Sequence, residues 1–522
     1  MSRPRPYQRP VLAAVLSTLG LVVVSAAIYT GLWFVDFGTR TGGVDPLSLF
    51  GHPDAAGTVA GLGEVTVAVL GIAITVVAII VELAANRYTP RITELFIRDP
   101  INASVLSFFA VTSVLVLATA MSLYGPVYPS FMVTVVVSAM LLSMTAILPY
   151  FLYVFDFLTP RSVILRIQRR ALDGIALGSR DDALVPSGRS ELTNGVEQLG
   201  DVALNSIGKK DKAIAIATLN ALSEVAEHSL ASRSEMPERW YETESLANDQ
   251  DFVSFHPDIT RRVTHRRTWV EMKVLRQFQG VFGESLHDMQ DVAHIVAIHT
   301  RSLAILAIDT GELHAIRLCL RFIHTYFRQA INDRDVRTAY NVFNEYRTLG
   351  EALLGTPYED LVLEMADRAR FYGQLAFKRQ LPFILETAAY DVCALLELAF
   401  DKGARTHDGL LDCFLELDRE PDGGEHQEAS LRGVRKAQTK LATFYLMRGE
   451  EALARRIFED MRHEPPERLR SIREELAAIE EPEFWEVSDR GVDFDWLPPD
   501  QRAQLATYFS WFSHLKGGEA GG

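Results

Sequence analysis

Four long apolar stretches occupy the first 155 residues, and they constrain the fold of this chain more than any other feature. A helix that crosses a bilayer needs about 20 predominantly apolar residues, because the hydrocarbon core is about 30 Å thick. Each stretch reaches this length or comes close to it. We therefore predict a four-span unit over residues 1–158, with spans at about residues 11–34, 61–84, 104–123 and 131–156.

The arginines around these stretches predict their orientation. They cluster before the first stretch, between the second and the third, and after the fourth: Arg3, Arg5, Arg9, Arg87, Arg91, Arg98, Arg161, Arg166, Arg169 and Arg170. The other two loops hold one basic residue, Arg40. Because cytoplasmic loops are enriched in Lys and Arg, we predict a multi-pass protein of the plasma (inner) membrane with both termini in the cytoplasm. The first stretch could be a cleaved signal peptide, but its length favours a retained anchor.

The loop after the second span carries a candidate polar cluster. Thr89-Pro90 is typical of a helix start and Pro100 of a helix end, so we predict a short helix on the inner surface. Glu82 is predicted to pair with the loop arginines, although it could simply mark the end of the span. The membrane-interface cluster predicted in this way comprises Glu82, Arg87, Arg91, Arg98 and Asp99.

This loop resembles a stretch in a family of uncharacterised bacterial predicted membrane proteins, a domain of unknown function. The family pattern is matched by Leu83-Ala84, Tyr88, Thr89, Pro90-Arg91 and Phe96-Ile97-Arg98-Asp99. The resemblance covers about residues 10–230. It departs at Glu82, where the family has an amide, and after the fourth span, where a histidine pair is absent. It implies four N-terminal spans and a cytosolic helical region, but no activity, since the family has none established.

The remainder of the chain is acidic. The formal net charge of −15 belongs entirely to residues 156–522, which hold 45 basic and 60 acidic side chains. This balance argues against nucleic-acid binding, which depends on neutralising phosphates with Lys and Arg. The cysteines, Cys319, Cys393 and Cys413, lack metal-ligand spacing, and we predict buried free thiols. We expect no metal, no cofactor and no nucleic-acid partner.

The apolar periodicity predicts an all-α fold. Residues 159–195 are predicted to hold a juxtamembrane amphipathic helix, Arg161–Leu177, and a linker over residues 178–194. The apolar stripe of that helix could lie on the anionic inner leaflet or continue the fourth span: Val163, Ile164, Ile167, Ala171 and Ile175. Residues 196–516 are predicted to form a cytosolic multi-helical domain and residues 517–522 a disordered tail.

Residues 437–466 follow the spacing of a tetratricopeptide helical hairpin. Small residues let its two helices approach and aromatic residues fill the groove between them. The matching positions are Leu441, Ala442, Tyr445, Gly449, Ala454, Phe458 and Pro466, whereas Gln438 and Met461 depart from the pattern. We therefore predict an irregular α-solenoid, with a compact bundle as the alternative. A solenoid presents an extended surface that favours protein binding.

Each of three further patterns has a purely structural interpretation and a functional one. Glu284, His287, Asp291 and His294 have ligand-competent helical spacing, but no second such helix exists, so a solvated face is favoured over a metal site. Residues 480–500 combine acids with Phe484, Trp485, Phe494 and Trp496, and we favour a loop that caps the last helix pair instead of a docking segment. A basic helix face, favoured as solvated, could also meet anionic lipid or an acidic partner: Arg261, Arg262, Arg266, Arg267, Lys273 and Arg276.

No nucleotide-binding or hydrolase motif occurs in the sequence, so we do not expect an enzyme. The leading hypothesis is a membrane protein whose cytosolic helical region binds or senses a protein partner. The alternative is an oligomeric channel or transporter regulated by that region, for which a homo-oligomer is possible. No charged residue lies near the middle of a span, which argues against a monomeric carrier.

Overall fold

The computed structural model describes residues 8–38, 55–89, 91–123, 129–242, 249–417, 427–484, 489–491 and 493–512. The predicted tail at residues 517–522 lies outside this range. The described residues are predominantly helical, and no strand occurs among them, as the all-α prediction requires. By its internal contacts the chain divides into two compact units, Met1–Val163 and Ile164–Gly522.

The first unit contains the predicted spans. Its helices are α1 (Gln8–Gly38), α2 (Ala55–Arg87), α3 (Ile92–Arg98), α4 (Pro100–Ser122) and α5 (Ser130–Phe157). Three helical segments are long and apolar enough to cross a membrane, Val59–Arg87, Pro100–Ser122 and Ser130–Phe157. In α1 the apolar segment with described side chains, Gly20–Asp36, is shorter. The four apolar N-terminal helices are therefore confirmed, and α3 is the predicted short helix.

The surface of the first unit is apolar. Side chains such as Ile72, Leu117 and Leu148 are 66%, 61% and 69% exposed. A small core is buried between the helices, where Met132 and Val136 of α5 pack with Val116 of α4. Apolar side chains on both the inside and the outside are expected of helices whose solvent is lipid.

The second unit consists of α-helices and two short 3-10 helices, Arg233–Glu235 and Glu238–Tyr241. The α-helices are α6 (Pro160–Arg180), α7 (Val185–Gly208), α8 (Lys212–Ala231), α9 (Pro257–His265), α10 (Trp269–Ser285), α11 (Gln290–Asp309), α12 (Leu313–Asn332), α13 (Val336–Leu353), α14 (Asp360–Lys378), α15 (Pro382–Asp401), α16 (His407–Leu415), α17 (Gln427–Met447), α18 (Glu451–Met461), α19 (Pro466–Ala478), α20 (Pro499–Arg502) and α21 (Gln504–Phe509).

Most of these helices form two rows. Helices α8, α11, α13, α15 and α17 pack each against the next in what we call the front row. Helices α7, α10, α12, α14 and α16 do the same in the back row. Helices that follow one another in the chain, such as α14 and α15, join the rows. The multi-helical region thus has the layered order of a solenoid.

The linker predicted over residues 178–194 is wrong, because α6 runs to Arg180 and α7 begins at Val185. The glycines of this stretch serve close helix packing. A Cβ atom on Gly188 would clash with the carbonyl oxygen of Gly174, so a larger residue could not occupy that position without a shift. The apolar stripe of α6 is at most 3% exposed, and it therefore packs inside the protein instead of facing a leaflet.

The helix that was expected to carry the basic face also needs correction. It is broken into α9 and α10, because Arg267 adopts a left-handed conformation with φ 54°. The basic face predicted on one helix is therefore divided between two.

Helix α11 matches a membrane span in length and composition. It nevertheless packs against α8, α12 and α13 of the second unit. Its His294 and Arg301 both pair with Glu345 of α13, at 3.0 Å and 2.6 Å. Helix α11 is therefore a core helix of the helical region.

The cysteines are free, as predicted. Cys319 and Cys393 are buried, whereas Cys413 is only half-buried, against the prediction that all would be buried. Burial raises the pKa of the Cys413 thiol to about 11. It is therefore protonated at neutral pH and a weak nucleophile.

Candidate functional site

Asp99, a residue of the predicted membrane-interface cluster, lies where α3, α4 and α5 meet. It caps the start of α4, where one carboxylate oxygen, Oδ2, accepts hydrogen bonds from the backbone N–H groups of Ile101 and Asn102, both at 3.1 Å. The same oxygen accepts a bond of 2.7 Å from the hydroxyl of Tyr153 on α5. A carboxylate at a helix N-terminus followed by proline is a favourable cap, so the Asp99-Pro100 pair fixes where α4 begins.

The short helix α3 is fastened to the spans from the same place. The side-chain Nδ2 of Asn102 donates to the carbonyl of Phe96 at 3.1 Å. The Phe96 ring meets Phe157 of α5 edge-on at 5.6 Å. Asn102 and Tyr153 were missed in the sequence, although an Asp-Pro pair followed by Asn is a recognisable helix start.

The predicted pairing of Glu82 with the loop arginines is not observed among the described residues. Glu82 is exposed on α2. Arg98 pairs at 2.8 Å with Glu94, one turn earlier on α3, because this spacing brings two side chains together on any helix. The Arg87 guanidinium lies 5.3 Å from the centre of the Tyr88 ring.

Asp36 makes a second cap that the sequence did not reveal. Its two carboxylate oxygens accept hydrogen bonds from the backbone N–H groups of Phe131 and Met132, each at 2.9 Å. The end of α1 is thereby tied to the start of α5. Since both aspartates satisfy helix N-termini, their first role is to fix the arrangement of the spans.

The second unit has a candidate binding face on its front row. A later segment of the same chain lies on this face. Residues 489–497, of which Val492 is not described, cross α13, α15 and α17; we call them the C-terminal segment. Arg490 donates to both carboxylate oxygens of Asp391, at 2.6 Å and 3.2 Å, and to the carbonyl of Tyr340 at 2.6 Å. Its guanidinium lies 4.1 Å from the centre of the Tyr340 ring.

Further along the C-terminal segment, the front row contacts both an aromatic ring and the backbone carbonyls of the segment. Phe494 stacks on Tyr390 with 4.8 Å between ring centres and 11° between planes. Asp495 accepts hydrogen bonds from the Tyr390 hydroxyl at 2.5 Å and from Lys436 at 2.7 Å. Lys440 donates to the carbonyls of Phe494 and Trp496, both at 3.0 Å. These contacts are of the kind by which a protein holds an extended peptide.

The electrostatics of this face centre on Asp391. Burial raises the pKa of Asp391, and the nearby Arg490 and Arg347 oppose that shift. The Arg490–Asp391 side chains are 5% and 6% exposed, so the pair is shielded from solvent. Residues 480–500 were predicted to cap the last helix pair, but the C-terminal segment covers α13 and α15 as well as α17. Trp485 lies outside the described residues.

The tetratricopeptide-like positions come together in the hairpin of α17 and α18. Leu441, Ala442, Tyr445 and Ala454 are fully buried. Gly449 ends the first helix with φ 81°, and Pro466 begins α19. Phe458 departs from the expectation, since it packs on Phe512 at 4.8 Å and not in a groove between neighbouring hairpins.

The four residues with ligand-competent spacing, for which a solvated face was favoured over a metal site, do not lie on one helix. His287 lies in the turn between α10 and α11 with φ 66°, which breaks the helix that the stripe requires. Asp291 pairs with Lys212 and with Arg337. His294 pairs with Glu345 at 3.0 Å. The four residues therefore share no helical face.

A buried ionic cluster around Lys273 is the largest departure from the sequence prediction, which placed this lysine on an exposed basic face. Its ammonium donates to Asp249 and Asp251, at 2.7 Å each, and to Glu197 at 3.1 Å, with the Lys273 side chain 1% exposed. Burial lowers the pKa of Lys273, whereas the aspartates raise it, and the net direction is upward. The ammonium fills the space between the carboxylates, so the cluster joins α7, α10 and the loop before α9.

Residues 8–194 match the model of a family described as "Predicted membrane protein (DUF2254)". This match confirms the resemblance drawn from the loop after the second span, and it ends within α7. No curated protein matches the sequence. A solved structure titled "Circular tandem repeat protein with novel repeat topology and enhanced subunit contact surfaces" is aligned over 89% of this chain and 96% of its own length, with 15% identity and a TM-score of 0.34.

Proposed function

We propose that this membrane protein presents its helical region to the cytoplasm and binds a protein partner on the front row. The C-terminal segment is the observation that carries the proposal. It occupies the face of α13, α15 and α17 through a buried arginine, a stacked aromatic ring and two backbone carbonyls. A face that recognises an extended segment of its own chain has the chemistry to recognise one from a partner.

The contacts define what the partner would offer. Asp391 and Tyr340 fit a guanidinium, Tyr390 fits an aromatic ring, and Lys436 fits a carboxylate. An extended segment with an arginine and, four or five residues later, an aromatic and an acidic residue would satisfy all three. Long helical rows provide such extended faces because neighbouring helices repeat the same side of the layer. The channel or transporter and the possible homo-oligomer stay predictions.

A photo-crosslinking residue at Phe383 is expected to capture the partner in cells. Phe383 is 43% exposed on α15 and stacks on Tyr340, with 5.6 Å between ring centres, so it borders the candidate face. The matched control is Leu363, which is 38% exposed on α14 of the back row. We expect one protein to be crosslinked from position 383 and not from position 363. Equal capture from both positions, or capture of only a second copy of this chain, would contradict the proposal.

The cytoplasmic orientation has its own test. The chain is truncated after Asp182, in the turn between α6 and α7, and fused to one of two reporters. A green fluorescent protein fused there is expected to fluoresce, and an alkaline phosphatase is expected to be inactive. Fusions after Leu123, between the third and fourth spans, are expected to give the opposite result, because that loop is predicted to be external. Active phosphatase after Asp182 would place the helical region outside the cytoplasm and remove the basis for a cytosolic partner.

A further inference from the structure

A basic patch with a single exposed ion pair among its described residues lies on α9 and on the start of α12, apart from the front row. On α12, His314, Arg317 and Arg321 follow one another at helical spacing and are all exposed. On α9 and just after it, Arg262, His265 and Arg266 likewise share one face. The basic patch is defined by its four arginines: Arg262, Arg266, Arg317 and Arg321.

The basic face of α9 lies next to the basic face of α12. Burial lowers the pKa of Arg321, and the charges of Arg266, Arg262 and Arg317 lower it further. Burial also lowers the pKa of His314, and the charges of Arg266 and His265 lower it further. These groups therefore repel one another across the gap between α9 and α12.

Little within the protein offsets this repulsion. Among the described residues, Arg262, Arg266 and Arg321 make no ion pair, and Arg317 meets only the exposed Glu364, at 3.3 Å. The two acids nearest in sequence are already engaged, since Asp258 pairs with Arg261 and Glu312 pairs with Arg233. Because residues 156–522 are acidic overall, a local excess of unpaired arginine is a repulsion that an external anion would relieve.

We propose that the basic patch binds the surface of an anionic bilayer. The charges are spread over two exposed helical faces, which suits a charged plane, and arginine pairs well with phosphate. The loop that leads into α9 adds an apolar side chain, Val253, which is 64% exposed and suited to insertion at an interface. The helical region follows the apolar helix α5 after only two residues, which keeps a bilayer within its reach.

The test uses full-length protein in nanodiscs, with Cys413→Ser and His265→Cys so that an environment-sensitive fluorophore can be attached in the centre of the patch. Discs of phosphatidylcholine alone are compared with discs that contain 30% phosphatidylglycerol. In anionic discs we expect at least a twofold rise in emission, and quenching by spin-labelled lipid. Replacing Arg262, Arg266 and Arg321 with glutamine is expected to remove both effects, since each arginine near an anionic surface contributes about fivefold to binding.

Two controls separate a lipid surface from other anions. Arg261→Gln, on the same helix but paired with Asp258, is expected to leave the emission rise intact. High salt is expected to abolish it because exposed charges are screened. Equal signals in neutral and anionic discs would overturn the proposal. So would a rise in neutral discs on adding inorganic phosphate or an acidic peptide, because the patch would then be a site for small anions or for protein.

Discussion

Replacing Lys273 with methionine is expected to lower the free energy of unfolding of the helical region by about 3–5 kcal/mol, the range for breaking a buried ionic network. Methionine has a similar length, so packing changes little. The loss arises because Asp249, Asp251 and Glu197 would keep their negative charges without the ammonium that now donates a hydrogen bond to each of them. Carboxylates so close to one another repel strongly when little solvent separates them.

Denaturant unfolding of the full-length protein in mild detergent would measure this effect. Trp240 and Trp269 are fully buried in the same unit, with ring centres 5.4 Å apart, so their fluorescence reports on it. Lys212→Met is the matched control, since Lys212 pairs with Asp291 while both side chains are about half exposed, and its expected cost is below about 1 kcal/mol.

A rescue variant tests the cause. Adding Asp249→Asn and Asp251→Asn to Lys273→Met removes the uncompensated charge and is expected to restore at least half of the lost stability. If the single variant unfolds like the parent protein, the loop around Asp249 opens to solvent easily, and the cluster does not hold it.

The spans could be predicted because the bilayer imposes a length and a composition that few other environments require. The short helix α3 could be predicted because Pro100 is a local signal for its end, but the helix begins at Ile92, after Arg91, and not directly after Thr89. The linker at residues 178–194 could not. Glycine and serine are typical both of flexible chain and of close helix contact, and only the presence of the partner helix decides between them.

The ionic cluster and the binding face depended on information that no local pattern contains. Lys273 is buried because the chain breaks at Arg267, a left-handed residue in a sequence that looks continuously helical. The Arg490–Asp391 pair joins residues 99 positions apart. Residues 480–500 were predicted to cap the helices from composition alone, but the particular helices they contact follow from the arrangement of the rows.

Replacing Arg490 with alanine is expected to release the C-terminal segment from the front row. As long as the segment stays bound, the change leaves Asp391 buried with only Arg347, at 3.4 Å, and removes the contact between the guanidinium and the Tyr340 ring. Burial raises the pKa of Asp391 and Arg490 lowers it, so losing Arg490 raises the pKa further. The ionised carboxylate is the costly form, so the stability deficit should be largest at pH 8 and shrink as the pH falls and Asp391 takes up a proton.

The released face can be titrated with a fluorescent peptide of residues 487–499, added to the full-length protein in mild detergent. In the parent protein the tethered segment competes at a high effective concentration, so we expect the Arg490→Ala variant to bind the peptide at least tenfold more tightly. A peptide that carries the same substitution should bind neither protein. Arg455→Ala is the matched control, since its guanidinium also lies against an aromatic ring, Trp511, at 4.4 Å, but on α18. Failure of the peptide to bind the Arg490→Ala variant would mean that the front row holds this segment only as part of its own fold, and a partner of the same chemistry would then have no site there.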